Sequence, residues 1–195
     1  MANELKGLKI AILAANGFEQ EEMTEPRKAL EMAGARVDLV SPEKGAVRSW
    51  QHTEWGDVFP MEVSLESAQA DDYDALMLPG GVMNPDRLRL RPEAIEFIKD
   101  FVKADKPIAA ICHAPWTLID AGAVKGRKMT SWPSLKTDLI NAGADWVDEE
   151  VVRHGLVVTS RKPDDIPAFN RTMIQAFAES PGRAKNRAKK GSVGR

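Results

Sequence analysis

The sequence predicts an α/β protein, with a mostly parallel sheet covered by helices on both faces in a flavodoxin-like three-layer α/β/α sandwich. Two observations point there. Short, continuous apolar runs ("LKIAILAA", "DALMLPGG", "KPIAAIC") suit strands buried on both faces. They alternate with helical stretches of about 10–15 residues, the rhythm of strand–helix–strand units. A third observation bounds the answer: 195 residues with 43% hydrophobic content supply one domain with a substantial core.

Leu8–Ala15 reads as the first strand, and "NGF" turns the chain. "EQEEMTEPRKALEMAG" follows as a helix with an acidic start and Gly34 as its stop. "ARVDLVS" is a second strand. The Trp-rich text from Gly45 to Glu66 is irregular and predicts a hairpin or excursion at one edge. "DALMLPGG" is the third buried strand and "RPEAIEFIKDFVKAD" an amphipathic helix. "KPIAAIC" is the fourth strand, and "HAPWTLIDAG" a short helix closed by Gly122. "RKMTSW" and "PSLKTDLINAG" repeat strand and helix. "EEVVRHGLVVTS" predicts a hairpin about His154-Gly155, and "KPDDIPAFNRTMIQAFAE" the last helix.

The boundaries predicted are one domain over residues 1–182 and a basic tail over 183–195. The tail "GRAKNRAKKGSVGR" has six Lys or Arg and no acid, so the net charge of −2 leaves −8 for the rest. A charge run of this kind is a solvated tail. Weak nucleic-acid contact is the sharper alternative, and six charges without aromatics would support only non-specific binding. A single cysteine excludes an intramolecular disulfide and suits a reducing compartment. With no signal-peptide pattern and no apolar run near the ~20 residues of a membrane span, the expectation is a cytoplasmic protein without membrane contact.

In a parallel α/β sheet, ligands sit at the carboxyl ends of the strands. That rule selects the turn after Ala15, the Gly80-Gly81 turn, Cys112-His113 and the turn near Trp132. Cys112 falls where a buried strand meets a helix start. There a thiol can be drawn below its usual pKa, and the thiolate is the reactive form. Ala109, Ala110 and Ala114 leave room for the sharp turn of a nucleophile elbow. The competing reading is a buried cysteine acting as a small hydrophobe. The amides of Gly80, Gly81 and His113 could hold an oxyanion, although a plain turn would also need the glycines. Trp116 and Trp132 could wall a pocket or belong to the core. His52 and His154 read as loop or turn residues. No metal site is expected, since no cluster has zinc-ligand spacing, and no cofactor motif is present.

"AICHAP", "NGFEQEEMTEP", "DALMLPGG" followed by "NPD", and the later segments "GAVKGRKMTSWPSLKTDLINAGADWVDEEVV" and "LVVTSRKPDDIPAFNR" together resemble the ThiJ/PfpI superfamily, which has the class I glutamine-amidotransferase-like fold. The resemblance spans roughly residues 6–178. It implies that Cys112 is the nucleophile, that Glu22 hydrogen-bonds its sulfur, and that Glu19 is a second acid on the same turn. Acids three apart can share one helix face, and an acidic helix start also simply favours the dipole. The resemblance further implies that His113 is catalytic and that Asp86, just after the glycine turn, orients it from the neighbouring subunit of a homodimer. Two departures from the pattern stand out: one extra residue before Pro85, and Ala114 where Gly is usual.

The implied function is a cysteine-dependent stress-response enzyme acting on small reactive carbonyls by glyoxalase or deglycase chemistry. Two alternatives remain open: an intracellular cysteine peptidase of the PfpI type, and a redox-sensing or chaperone-like stress protein in which turnover is incidental. The expected partners are a small carbonyl compound or peptide and a second copy of the chain.

Overall fold

A computed structural model describes residues 3–180. The basic tail over 183–195 lies outside the described residues. The elements run β1 (Lys9–Leu13), α1 (Gln20–Met32), β2 (Arg36–Ser41), β3 (Ala46–Gln51), β4 (Glu54–Pro60), β5 (Val63–Ser64), β6 (Ala75–Leu78), α2 (Met83–Arg89) and α3 (Pro92–Lys103). There follow β7 (Ile108–Ile111), α4 (Pro115–Asp120), β8 (Lys128–Met129), α5 (Lys136–Asn141), β9 (Asp145–Trp146), β10 (Val151–His154), β11 (Val157–Ser160) and α6 (Ile166–Ala178).

Seven strands form the central sheet in the order β10-β11-β7-β6-β1-β2-β5. All neighbours are parallel except the β10–β11 hairpin. Successive residues of a strand point to opposite faces, and β1 shows the result. Ala11 and Leu13 face one core, with Phe97 and Phe101 of α3 and Leu118 of α4. Ile10 and Ile12 face the other, with Met23 and Leu30 of α1 and Phe169 and Phe177 of α6. Each fully buried Leu, Ile or Phe contributes about 1.5–3 kcal/mol. The molecule is therefore the flavodoxin-like three-layer sandwich predicted from the apolar runs. No helix among the described residues is long and apolar enough to cross a membrane.

Two segments differ from expectation. "RKMTSW" does not add a strand to the sheet: only Lys128–Met129 is extended, and it pairs with β9 in a separate ladder. Both edges of β11 are already taken, one by β7 and the other by β10. Thr130 N–H instead donates to the Thr159 hydroxyl at 2.9 Å. The Trp-rich text does form a hairpin, β3–β4, outside the sheet, while β5 after it becomes the sheet's edge strand. The hairpin turn places His52 at φ 56°, in the left-handed region.

Candidate active site

Cys112 follows β7 directly and has φ 63°, a left-handed conformation that a residue with a Cβ enters only at a cost. Its backbone is held on both sides. Its N–H donates to Ser160 O at 3.0 Å, and its carbonyl accepts Trp132 N–H at 2.9 Å. The result is a strained strand-to-helix elbow that aims Sγ out of the sheet.

The Gly80-Gly81 turn lies against this elbow. A Cβ on Gly80 would stand 2.5 Å from Glu22 Oε2 and 2.6 Å from Cys112 Cβ. Gly81 has φ 74°, and a Cβ there would meet Gly17 O at 2.6 Å. Only glycine permits both approaches. Asn84, fully buried, fixes the turn. Its side-chain carbonyl accepts Ala15 N–H at 2.7 Å, and its amide donates to Pro79 O at 2.8 Å.

Glu22 is fully buried in the first turns of α1. Its Oε2 accepts Gly80 N–H at 3.0 Å, while Oε1 has no hydrogen-bond partner. Burial pushes its pKa up to about 8, with contact to the Cys112 thiol and to the Gly80 and Gly81 amides pulling the other way. At neutral pH Glu22 therefore holds its proton. The environment opposes the lowered thiol pKa expected from a helix start. Burial pushes Cys112 up, a charged Glu22 would push further, and the Gly81 and His113 amides pull down. The reason is structural. Helix α4 begins only at Pro115 and has six residues, so little helix dipole reaches Sγ.

His113 Nδ1 lies 3.2 Å from Cys112 Sγ. Burial lowers its pKa to about 4, so the ring is neutral near pH 7. Its Nε2 faces Ser134 Oγ at 3.5 Å, a long contact, and its ring stacks on Trp132 with centroids 5.9 Å apart. Trp116 is tilted against His113 at 5.4 Å and ties its Nε1 to Asp138 at 2.8 Å. It packs against the histidine and is not among the residues that line the cavity at Cys112.

A cavity of about 780 Å³ opens at Cys112, lined by Glu19, Glu22, Gly81, Cys112 and His113 together with Trp50, Trp55 and Trp132. The structure thus brings together Cys112, His113, Glu22, Glu19 and the glycine turn. It does not bring Asp86 into this chain's site: Asp86 sits exposed on α2, outside the lining. The Gly80 amide is taken by Glu22, while the amides of Gly81 and His113 act on the Cys112 sulfur.

Sequence reasoning missed Ser134, Asn84 and the hairpin tryptophans, whose places depend on folding across many residues. It also read His52 as a plain turn residue. His52 lines the cavity, and its N–H donates to Glu19 Oε1 at 3.2 Å. Donor atoms of Glu19, Glu21 and His52 lie within 4.8 Å of one another, a set that sequence spacing could not show. These three could hold a metal ion, although His52 is exposed and the set is open to water.

An α/β sandwich with a strained cysteine elbow, an adjoining histidine and a buried glutamate defines the class of cysteine-elbow proteins. The chain belongs to the DJ-1/PfpI family, whose model matches residues 8–176. It is 46% identical over 170 residues to general stress protein 18 of Bacillus subtilis, covering 86% of this chain and 96% of that one. It is 44% identical over 166 residues to the putative cysteine protease YraA of the same organism, covering 85% and 96%. It is 40% identical over 168 residues to deglycase PfpI of Pyrococcus furiosus, covering 86% and 98%. Among solved structures, DJ-1beta of Drosophila melanogaster superposes with a TM-score of 0.79 at 26% identity, covering 97% and 98% of the two chains.

Proposed function

We propose that the protein is a cysteine-dependent stress enzyme that converts small reactive carbonyls, 2-oxoaldehydes and their adducts, by glyoxalase or deglycase chemistry. One observation carries this reading: the thiol of Cys112 lies between a neutral imidazole and a carboxyl that keeps its proton up to about pH 8. As Sγ bonds to the aldehyde carbon, His113 Nδ1 takes the thiol proton. The carbonyl π pair moves to oxygen, which the Gly81 and His113 amides hold and Glu22 protonates, giving a hemithioacetal.

Glu22, now a carboxylate, removes the hydrogen from the same carbon, and the neighbouring ketone oxygen takes the proton held by His113. Return of Glu22's proton to the second carbon, with the hydroxyl proton on the first passing back to Glu22, leaves a thioester. Water cleaves it to a 2-hydroxy acid and the free thiol. One carbon is oxidised as its neighbour is reduced, so the sum is aldehyde plus water and needs no outside oxidant. From an amine adduct, which already carries the hydroxyl, Sγ displaces the amine, and Glu22 protonates the amine as it leaves. The relative named a deglycase supports this reading. The active form is a homodimer in which Asp86 of one chain orients His113 of the other.

The 3.2 Å Cys112–His113 contact also suits acyl transfer, and one relative is named a putative cysteine protease, so peptide hydrolysis is the second reading. The experiment is steady-state turnover of methylglyoxal and of a fluorogenic peptide by wild type and Cys112→Ser side by side. Carbonyl turnover lost in Cys112→Ser supports the proposal. Cys112-dependent peptide turnover alone favours the second reading, and turnover of neither substrate refutes both.

A further inference from the structure

The cavity is much larger than a three-carbon aldehyde requires. At about 780 Å³ it falls in the size class of pockets that enclose drug-sized ligands. Its outer part is made by the β3–β4 hairpin, which is fastened to α1 at several points. Gln20 Oε1 accepts Ser49 Oγ–H at 2.7 Å and Asp57 N–H at 2.9 Å, and Gln20 Nε2 donates to Asp57 Oδ2 at 2.9 Å. Trp50 N–H donates to Phe18 O at 2.7 Å. The hairpin is therefore a fixed wall.

That wall presents ring faces. Trp50 spends its indole N–H on His52 O at 2.9 Å, so only its π surface is left for a ligand. Trp55 meets Trp50 edge-on with centroids 5.6 Å apart, and Trp132, stacked on His113, also lines the cavity. Trp55 and Trp132 are 40% and 38% exposed, unusual for a residue with this much apolar surface. Arg48 lies over Trp55 at 5.5 Å from its ring centre, so this ring already carries one guanidinium within the chain.

Among the described residues no Lys or Arg is in the cavity lining, and Arg48 on Trp55 is the cation nearest to it that the ring contacts show. His113 is neutral and Glu22 holds its proton at neutral pH. Glu19 is left as the acid at the rim. Its Oε1 accepts from His52, and its Oε2 has no hydrogen-bond partner among the described residues. Aromatic faces with their negative quadrupole beside one carboxylate attract a flat cation and repel an anion.

Building on the carbonyl-enzyme reading above, we propose that Trp50, Trp55, Trp132 and Glu19 form a second subsite that binds a planar cationic group carried by the substrate. Glu19 and Trp50 are then the residues that set substrate charge preference. The reactive carbonyl would reach Cys112 while the flat cation lies against the tryptophans.

Binding can be read apart from turnover. Calorimetry on Cys112→Ser, with benzamidine and benzoate as flat probes of opposite charge, should give benzamidine at least tenfold tighter binding at neutral pH. Adding Glu19→Gln should cut that ratio to about threefold or less, and adding Trp50→Ala should weaken both probes. In parallel, wild-type kcat/KM for arylglyoxals bearing a para guanidino, hydrogen or carboxylate group, each scaled to its rate with a free thiol, should fall in that order. Equal binding of the two probes, or a ratio untouched by Glu19→Gln, overturns the subsite. Selective benzamidine binding without carbonyl turnover leaves the subsite standing and refutes the enzymatic reading. Turnover blind to para charge does the reverse.

Discussion

His113 Nδ1 lies 3.2 Å from the sulfur of the residue directly before it, Cys112. On a regular helix, adjacent side chains diverge by roughly 100°. They converge here because Cys112 has φ 63° and the chain reverses between β7 and α4. The sulfur thus has a base within reach without any contribution from a distant loop.

The pH profile follows from two groups with opposite requirements. His113 must be neutral to take the thiol proton, so activity falls as pH drops through about 4. Glu22 must be protonated to donate, so activity falls as pH rises through about 8. We expect kcat/KM for methylglyoxal to hold a plateau between those limits. A profile that keeps rising past the upper limit would show that Glu22 does not act as the acid.

Glu22→Gln separates function from stability. Gln keeps the shape and can still accept from Gly80, but it cannot give or take a proton. Turnover should drop by about 100-fold or more, while Glu25→Gln on the exposed side of α1 should change it by less than about twofold. Stability should move the other way. The folded-state pKa of Glu22 lies above its ordinary 4.5, so between 4.5 and about 8 the folded chain binds a proton that the unfolded chain does not. Unfolding free energy therefore falls as pH rises through that window, by up to about 1.4 kcal/mol per unit. Glu22→Gln should raise Tm at the alkaline end of the window and leave it unchanged at the acid end. Equal Tm shifts at both ends would contradict the buried neutral acid.

Since Cys112 is the only cysteine in the chain, bulk alkylation reads it directly. The Glu22 carboxyl beside the sulfur pushes the thiol up, so Glu22→Ala should move the pH midpoint of iodoacetamide reaction downward. An unmoved midpoint would leave burial and the backbone amides as its sole determinants.

The role of Asp86 across subunits is tested by mixing two inactive variants, Cys112→Ser and Asp86→Ala. A heterodimer carries one site with both defects and one with Cys112 and His113 from one chain and Asp86 from the other. Random exchange should restore about a quarter of wild-type activity, by counting sites in two-fold dimers. Subunit exchange seen by mass spectrometry without recovered activity would remove Asp86 from the site.

Most of the fold was legible because buried parallel strands announce themselves as unbroken apolar runs, and β1, β6 and β7 are all such runs. The elbow was legible for a related reason: an apolar run ending at Cys112 can only stop where the chain turns. "RKMTSW" misled because its composition suits a strand, while the available edge of β11 goes to β10. The pocket's outer wall was illegible. Trp50 and Trp55 occur in a polar stretch without periodicity, and only the fastening of Gln20 to Ser49 and Asp57 carries them over the site. The thiol's environment was misjudged because a helix start is local and readable, whereas burial by Glu22 and the glycine turn comes from remote parts of the chain.

The left-handed backbone at Cys112 inverts a common order of substitutions. In ordinary strands and helices, glycine is less stable than alanine by about 0.5–1 kcal/mol. At φ 63° the Cβ itself is the burden, so Cys112→Gly should melt no lower than Cys112→Ala. A lineage released from the need for this thiol would thus meet little resistance in discarding it for glycine. Folding alone therefore gives no reason for a side chain at that position, and under the proposed reaction the chemistry supplies one.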